Sequence, residues 1–249
     1  MSNEDSKKHP LETRQLHGTP YQVIVQKHHA YNLDTILLAH FASSRIKKSK
    51  KIVDLGTGNG ILMLYLSLYT NASLTGYDIT ASHIEIANQN IEINQLDLQI
   101  KAFHKDITTM ESFDCDTIIT NPPYFKYQEH TNISKHPTRS IARFEITLTL
   151  NQVLGLSSKS LKTKQSLFMI HRSERIDEII TLAKQYQLTI KEMQCIHPYI
   201  DQPSEVVLLH FVKDAKHELL VLPPLILYDA KHQFSLQLEK IYEGVSHVT

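Results

Sequence analysis

The sequence predicts an α/β fold: one doubly wound sheet, mostly parallel, with an antiparallel hairpin near its C-terminal end. Three observations predict it. From Lys51 onward, short β-branched apolar runs alternate with stretches of helical period. A glycine cluster stands between the first of these runs and the helix after it. The last two runs, LTIKEMQCI and EVVLLHFV, follow each other with no helix between, so they pair antiparallel. A length of 249 residues suits a single α/β domain with additions, and 41% hydrophobic residues are enough to bury its core.

Taken in order, residues 1–20 are polar and end at Gly18, Thr19 and Pro20, which reads as a flexible N-terminus. The domain then occupies 21–249. It opens with a helical element over about 21–46, where YNLDTILLAHFA carries apolar residues at 33, 36, 37, 38 and 41. KIVDLG is the first buried strand, and ILMLYLSLY, apolar almost all round, is a helix buried against the sheet. SLTGYD, the helix ASHIEIANQNIEIN, LQIKAF and CDTIITNPPY follow. Residues 125–143 are long, polar and aperiodic, as binding loops and lids are, and are expected to be mobile without substrate. A helix from about Phe144, the strand QSLFMIH and the helix RIDEIITLAKQY lead to the closing hairpin. A short extension over about 218–249 ends in a helical FSLQLEKIYEG.

Lys+Arg and Asp+Glu are both 26, so the chain lacks the footprint of a protein that coats nucleic acid and leaves only local basic patches. Cys115 and Cys195 have no CxxC partner, which argues against a disulfide scaffold or a cysteine zinc site. The fifteen histidines form no ligand grouping on one helix, so no metal is expected. No apolar run approaches a membrane span, and the polar start has no signal core; the expectation is a cytoplasmic protein.

VDLGTGNGI places Gly56, Gly58 and Gly60 between a strand and a helix, three of only seven glycines. Such a loop turns tightly and admits close backbone approach, and its amides favour an anionic or hydroxyl-rich group. It is neither G-x-G-x-x-G, since Ile61 holds the third position, nor a Walker loop, since GK[ST] is missing. Asp78 closes the second strand, where an acid accepts two hydrogen bonds from ribose hydroxyls; capping the helix near Ala81 is the alternative role. Together they point to a nucleoside cofactor. Asp106 follows the third strand on the same edge, in reach of an adenine amino group or simply an exposed loop acid.

ITNPPYF is the most informative segment. Two prolines end the strand. Asn121 then presents a side-chain carbonyl and Pro122 a backbone carbonyl, two acceptors suited to a planar NH₂ group. Binding both its protons helps the nitrogen pyramidalise so that its lone pair attacks. Tyr124 offers a ring on which a base stacks.

VDLGTGNG, YDIT, HKDI and NPPYF together resemble the class I S-adenosylmethionine-dependent methyltransferases that modify amino groups. QKHHAYNLDTILLAHF, ARFE after the long loop, and LILYDAKHQFSLQLEKIY resemble, more narrowly, the bacterial tRNA1(Val) adenine-N6 methyltransferases, over roughly residues 16–243. The resemblance implies a Rossmann-like sheet and S-adenosylmethionine as cofactor. In it Gly56, Gly58 and Gly60 hold the methionine part, Asp54 orients the loop, Asp78 takes the ribose and Asp106 the adenine. Asn121, Pro122 and Tyr124 receive the base. It also implies transfer to N6 of adenosine 37 in a valine tRNA, with the anticodon stem-loop as partner and no metal. Basic groups available for phosphates are Lys47, Lys48, Lys50 and Lys51; Lys135, Arg139 and Arg143; Lys159, Lys162 and Lys164; and Arg172 and Arg175. Phe144 stands where the A-R-H-E signature has histidine.

Three alternatives share parts of this pattern. A protein glutamine N5-methyltransferase also uses NPPY but carries a longer helical domain than the fifty or so residues preceding the first strand here. A guanine-N2 rRNA methyltransferase more often shows Asn-Pro-Pro-Phe. A non-catalytic RNA-binding module would have lost a cofactor glycine or Asn121, and both are intact.

Overall fold

Parallel strands buried on both faces need apolar residues at consecutive positions, and the central strands have them. β3 (Lys51–Leu55) sends Ile52 to one core and Val53 and Leu55 to the other. β6 (Thr117–Thr120) and β7 (Ser166–Arg172) alternate in the same way, Ile119, Phe168 and Ile170 facing the first core and Ile118, Leu167 and Met169 the second. The computed structural model describes residues 11–26, 33–122, 148–230 and 233–244.

β1 (Leu11–Gln15) and β2 (Gln22–Gln26) form an antiparallel hairpin before the main sheet. The sheet continues with β4 (Ser73–Asp78), β5 (Ile100–His104), β8 (Leu188–His197), β9 (Val206–Lys213), β10 (Leu220–Val221) and β11 (Leu225–Ile226). Its order is β10-β8-β9-β7-β6-β3-β4-β5, with β11 also on β8. β5, β4, β3, β6 and β7 run parallel, whereas β9 is antiparallel to both β7 and β8. β12 (Tyr228–Ala230) and β13 (Gln233–Phe234) make a small separate pair. The chain moves outward from β3 through β4 to β5, then crosses back to β6. The carboxyl ends of β3 and β6 therefore flank a topological switch point, where open α/β sheets bind ligands.

Helices cover both faces. α1 (Leu33–Ser43), α2 (Ile61–Ser67), α3 (Ala81–Ile93) and the tail helix α6 (Leu236–Gly244) pack on the first. α4 (Leu150–Ser160) and α5 (Ile176–Gln185) pack on the second. α4 starts from a capping box, Thr149 and Gln152 each bonding the other's backbone amide.

The doubly wound sheet and its antiparallel hairpin agree with the sequence reading. The N-terminus does not. Residues 11–15 are a strand rather than a frayed tail, and 22–26 are a strand where a helical element was expected. Leu16, Val23 and Val25 are buried in the first core, so a few well-placed apolar residues outweigh a polar composition. α3 holds this hairpin with side-chain amides. Asn90 accepts from the Ile24 amide at 2.6 Å, and Asn94 accepts from Gln22 and donates back to its carbonyl at 3.0 and 2.7 Å.

Candidate active site

Gly56, Gly58 and Gly60 have φ of 75°, 53° and 80°, the left-handed region in which a Cβ is strained. The loop folds back over β4: the amides of Gly56 and Thr57 donate to the Tyr77 carbonyl at 2.9 and 3.0 Å, and Gly58 donates to Asp78 Oδ2 at 2.9 Å. These amides, with that of Gly60 bonded to the Thr57 carbonyl, are spent inside the protein. The expectation that they serve a ligand is corrected accordingly; the glycines supply shape and approach. A Cβ at Gly56 or Gly58 would meet nothing within 4 Å, so both open onto vacant space. Gly60 lines neither cavity described below. It caps α2, and a Cβ there would lie 3.3 Å from that of Ala87, so the glycine lets the loop pack closely on α3.

A fourth glycine matters and was not foreseen. A Cβ on Gly76 in β4 would lie 2.6 Å from Met63 and 2.7 Å from Thr57 Oγ1, so Gly76 is what lets Thr57 settle on the strand.

Two adjoining cavities open at the carboxyl ends of these strands, sharing Gly56, Gly58, His83 and Asn121. The first, about 230 Å³, has Tyr77, Ile79, Ile107 and Leu148 as apolar walls, with Asp78, Lys105 and Asp106 among its polar groups. The second, about 260 Å³, is bounded by Asp54, Thr57, Asn59, Thr35 and Val25. The fold thus brings Asp54, Gly56, Gly58, Asp78, Asp106 and Asn121 together as expected. Pro122 is buried beside them but lines neither cavity. Tyr124, loop 125–143, Phe144 and the cluster Lys135, Arg139 and Arg143 lie outside the described residues.

Asp54 is almost wholly buried, 2% exposed, and among the described residues neither of its oxygens has a hydrogen-bond partner. Burial pushes its carboxyl up to about 7; the nearby Thr57 hydroxyl tempers the rise without making a regular hydrogen bond, and the charge of Asp78 adds to it. Thr57 Oγ1 and Asn59 Oδ1 are likewise buried and unpartnered among the described residues. Such groups cost stability unless something pairs with them. Asp54, Thr57 and Asn59 all border the second cavity, and their four unpartnered oxygens, two of them from one carboxyl group, suit a group with several N–H donors, an ammonium above all.

Asp78 is different. Burial favours its neutral form, but His83 and the amides of Thr80 and Gly58 overcome that and hold it below the usual carboxylate range. Its Oδ1 takes the Thr80 amide at 2.8 Å, so it both steadies the start of α3 and faces the apolar cavity. Oδ1 also faces the His83 Nδ1 at 3.6 Å, whereas Oδ2, which takes the Gly58 amide, has a second lone pair suited to a hydroxyl. Asp106 spends Oδ1 on the Thr108 amide and hydroxyl, at 2.8 and 2.7 Å, capping a short 3-10 turn. It therefore caps a turn, a role the sequence did not suggest for it, and also stands on the cavity wall.

Sequence reading missed Thr35, Thr57, Asn59, His83 and Lys105. Thr57 and Asn59 were signalled by sitting between the glycines; Thr35 comes from a distant helix and had no local signal. Asn90, fully buried on α3, donates to the Asn59 carbonyl at 3.0 Å and so ties the N-terminal hairpin to the glycine loop.

The basic clusters divide by edge. Lys47, Lys48 and Lys50 precede β3 and Lys51 opens it, and Lys159, Lys162 and Lys164 precede β7, so both clusters lie at the amino edge, away from the cavities. Lys51 and Lys162 pair there with Asp114. Arg172 ends β7 at its carboxyl end and Arg175 closes the short turn that follows, where it is buried and bonded to Glu178 at 2.8 Å. The described residues contain no group of acids, histidines and cysteines arranged to hold a metal, and no described helix is long and apolar enough to cross a membrane.

Residues 32–142 match the family described as the methyltransferase small domain. The chain is 27% identical over 179 residues to the tRNA1(Val) (adenine(37)-N6)-methyltransferase of Parabacteroides distasonis, covering 71% of this chain and 73% of that one. It is 28% identical over 209 residues to the protein of the same name from Haemophilus influenzae, covering 81% and 84%. Among solved structures, a predicted O-methyltransferase from Agrobacterium tumefaciens superposes with a TM-score of 0.66 at 20% identity, covering 86% of this chain and 97% of the other, a likeness of fold.

Proposed function

We propose that this chain, a methyltransferase matching the methyltransferase small domain over residues 32–142, uses S-adenosylmethionine to methylate N6 of an adenosine in tRNA, at position 37 beside the anticodon of a valine tRNA. One observation carries the reading: Asn121, just after β6, walls both cavities together with Gly56 and Gly58, so the residue proposed to take the target amine and those proposed to hold the cofactor share one crevice. The names of the relatives in Parabacteroides and Haemophilus supply the RNA and the position.

Bound there, S-adenosylmethionine supplies a sulfonium methyl, the N–C bond to adenine forming as the S–C bond breaks and the electron pair stays on sulfur. Everything else falls to the chain. Asp54, with Thr57 and Asn59, receives the cofactor's ammonium group, which satisfies oxygens left unpartnered at the polar end. Asp78 accepts from the ribose hydroxyls, and Tyr77, Ile79 and Ile107 wall the apolar space for adenine, with Asp106 near its amino group. Asn121 and Pro122 accept the two protons of the target amine, and Tyr124 stacks on its base. The alkylated amine is acidic enough to release its proton to water, so no side chain acts as base. Alignment and exclusion of water provide the acceleration.

A base reaches this crevice only from a loop or after flipping out, which an anticodon loop permits. The RNA therefore approaches the carboxyl edge, where Lys105 and Arg172 lie. The Lys47–Lys51 and Lys159–Lys164 clusters have no part in holding the target loop.

Asn121→Ala tests the reading. Turnover is expected to fall about a thousandfold, the scale of losing a polar group aimed at the reacting centre. S-adenosylhomocysteine binding by calorimetry should stay within about threefold, since the other cofactor groups remain. Undiminished turnover would remove the Asn-Pro-Pro mechanism.

A further inference from the structure

Resting on that reading of the Asn-Pro-Pro segment, we infer that Thr35 is a positioning residue for methyl transfer: its hydroxyl takes the amide nitrogen of Asn121 and turns the amide oxygen toward the target amine. An asparagine amide has two ends of nearly equal shape and opposite hydrogen-bonding character. Only the oxygen helps here. With the nitrogen turned in, N–H groups would face the N–H groups of the substrate, and the amine would lose the acceptor that helps it pyramidalise. Some acceptor must occupy the nitrogen on the far side.

Thr35 supplies it. Its Oγ1 lies 3.5 Å from Asn121 Nδ2, and both residues line the polar cavity with Asp54 and Asn59. The hydroxyl has lone pairs to offer, and it rides on the first turn of α1, an element independent of β6. α1 is anchored by Ile36, Leu37 and Leu38, each at most 2% exposed. The threonine is thus a fixed reference against which the asparagine is set. At 3.5 Å it steers the amide rather than locking it, which leaves room for the contact to shorten once substrate pulls on the oxygen.

The test compares two variants that keep the volume of the side chain or its hydroxyl. Thr35→Val is nearly isosteric and lacks the acceptor; Thr35→Ser keeps it. The expected result is a kcat about tenfold lower in Thr35→Val, the worth of one orienting hydrogen bond, with most of it recovered in Thr35→Ser. The Kd of S-adenosylhomocysteine by calorimetry should move by less than about threefold in both. Asn121→Asp then removes the choice of ends, because both carboxylate oxygens accept, so Thr35→Val placed on it should cost no further rate. Thr35→Ser as slow as Thr35→Val, or wild-type kcat in Thr35→Val, would overturn the inference. These outcomes separate from failure of the underlying mechanism, which would appear as normal turnover in Asn121→Ala whatever Thr35 does.

Discussion

The starts and the ends of the central strands treat their polar groups in different ways. Where β3 and β6 begin, these groups pair with one another: Asp116 accepts the amides of Lys50 and Lys51 at 2.8 and 3.0 Å, Ser49 meets Thr117 at 2.8 Å, and Asp114 gathers Lys51 and Lys162. At the carboxyl edge Asp54, Thr57 and Asn59 are buried with oxygens that no described residue bonds. The first arrangement holds a fold together. The second keeps binding capacity in reserve at some cost to the empty protein, which is the pattern of a site built for something else to complete.

Asp54→Asn breaks that difference most severely. The expected outcome is a cofactor Kd about a hundredfold weaker, since a buried charged hydrogen bond is lost, with a Tm equal to or above that of the parent. Calorimetry and thermal melts read the two quantities, and a lower Tm with unchanged Kd would contradict the assignment. This trade is the signature of a residue kept for binding rather than stability.

The pH dependence sharpens the same point. Asp54 is raised to about 7, so the folded empty protein holds a proton that the unfolded chain has released above about pH 4. Stability of the empty protein should therefore fall as pH climbs from about 4 to about 7, and that slope should vanish in Asp54→Asn. Cofactor binding needs the carboxylate, so affinity should rise between about pH 5.5 and 7 by up to tenfold per unit, in the parent only. Equal slopes in parent and variant would show that another group titrates.

The smallest effect belongs to the amino edge. Lys51→Ala and Asp114→Ala remove exposed partners, so neither turnover nor Tm should shift measurably. A drop in tRNA affinity in Lys51→Ala would instead bring RNA contact to this edge.

The sheet was legible because β3, β6 and β7 carry the short apolar runs Ile52–Val53, Ile118–Ile119 and Leu167–Ile170. The hairpin β1–β2 was not: its burial rests on Leu16, Val23 and Val25 with the half-buried Tyr21, and its anchors Asn90 and Asn94 read locally as helix-surface polar residues. In the site, Gly56, Gly58, Asp78 and Asn121 were readable because each follows or ends a strand on one edge. What sequence cannot reveal is which end of a group is already occupied. The loop amides looked available and are bonded to β4, whereas Asp54, expected to orient the loop, has no hydrogen-bond partner among the described residues. Thr35 reaches Asn121 across 86 positions, a pairing made only by the fold.

The most direct test of the central claim is methyl transfer from labelled S-adenosylmethionine into total tRNA lacking this modification, followed by nucleoside analysis. N6-methyladenosine is expected, confined to position 37 of a valine tRNA and absent with Asn121→Ala. Label found in a release-factor or ribosomal fraction and missing from tRNA would contradict that claim.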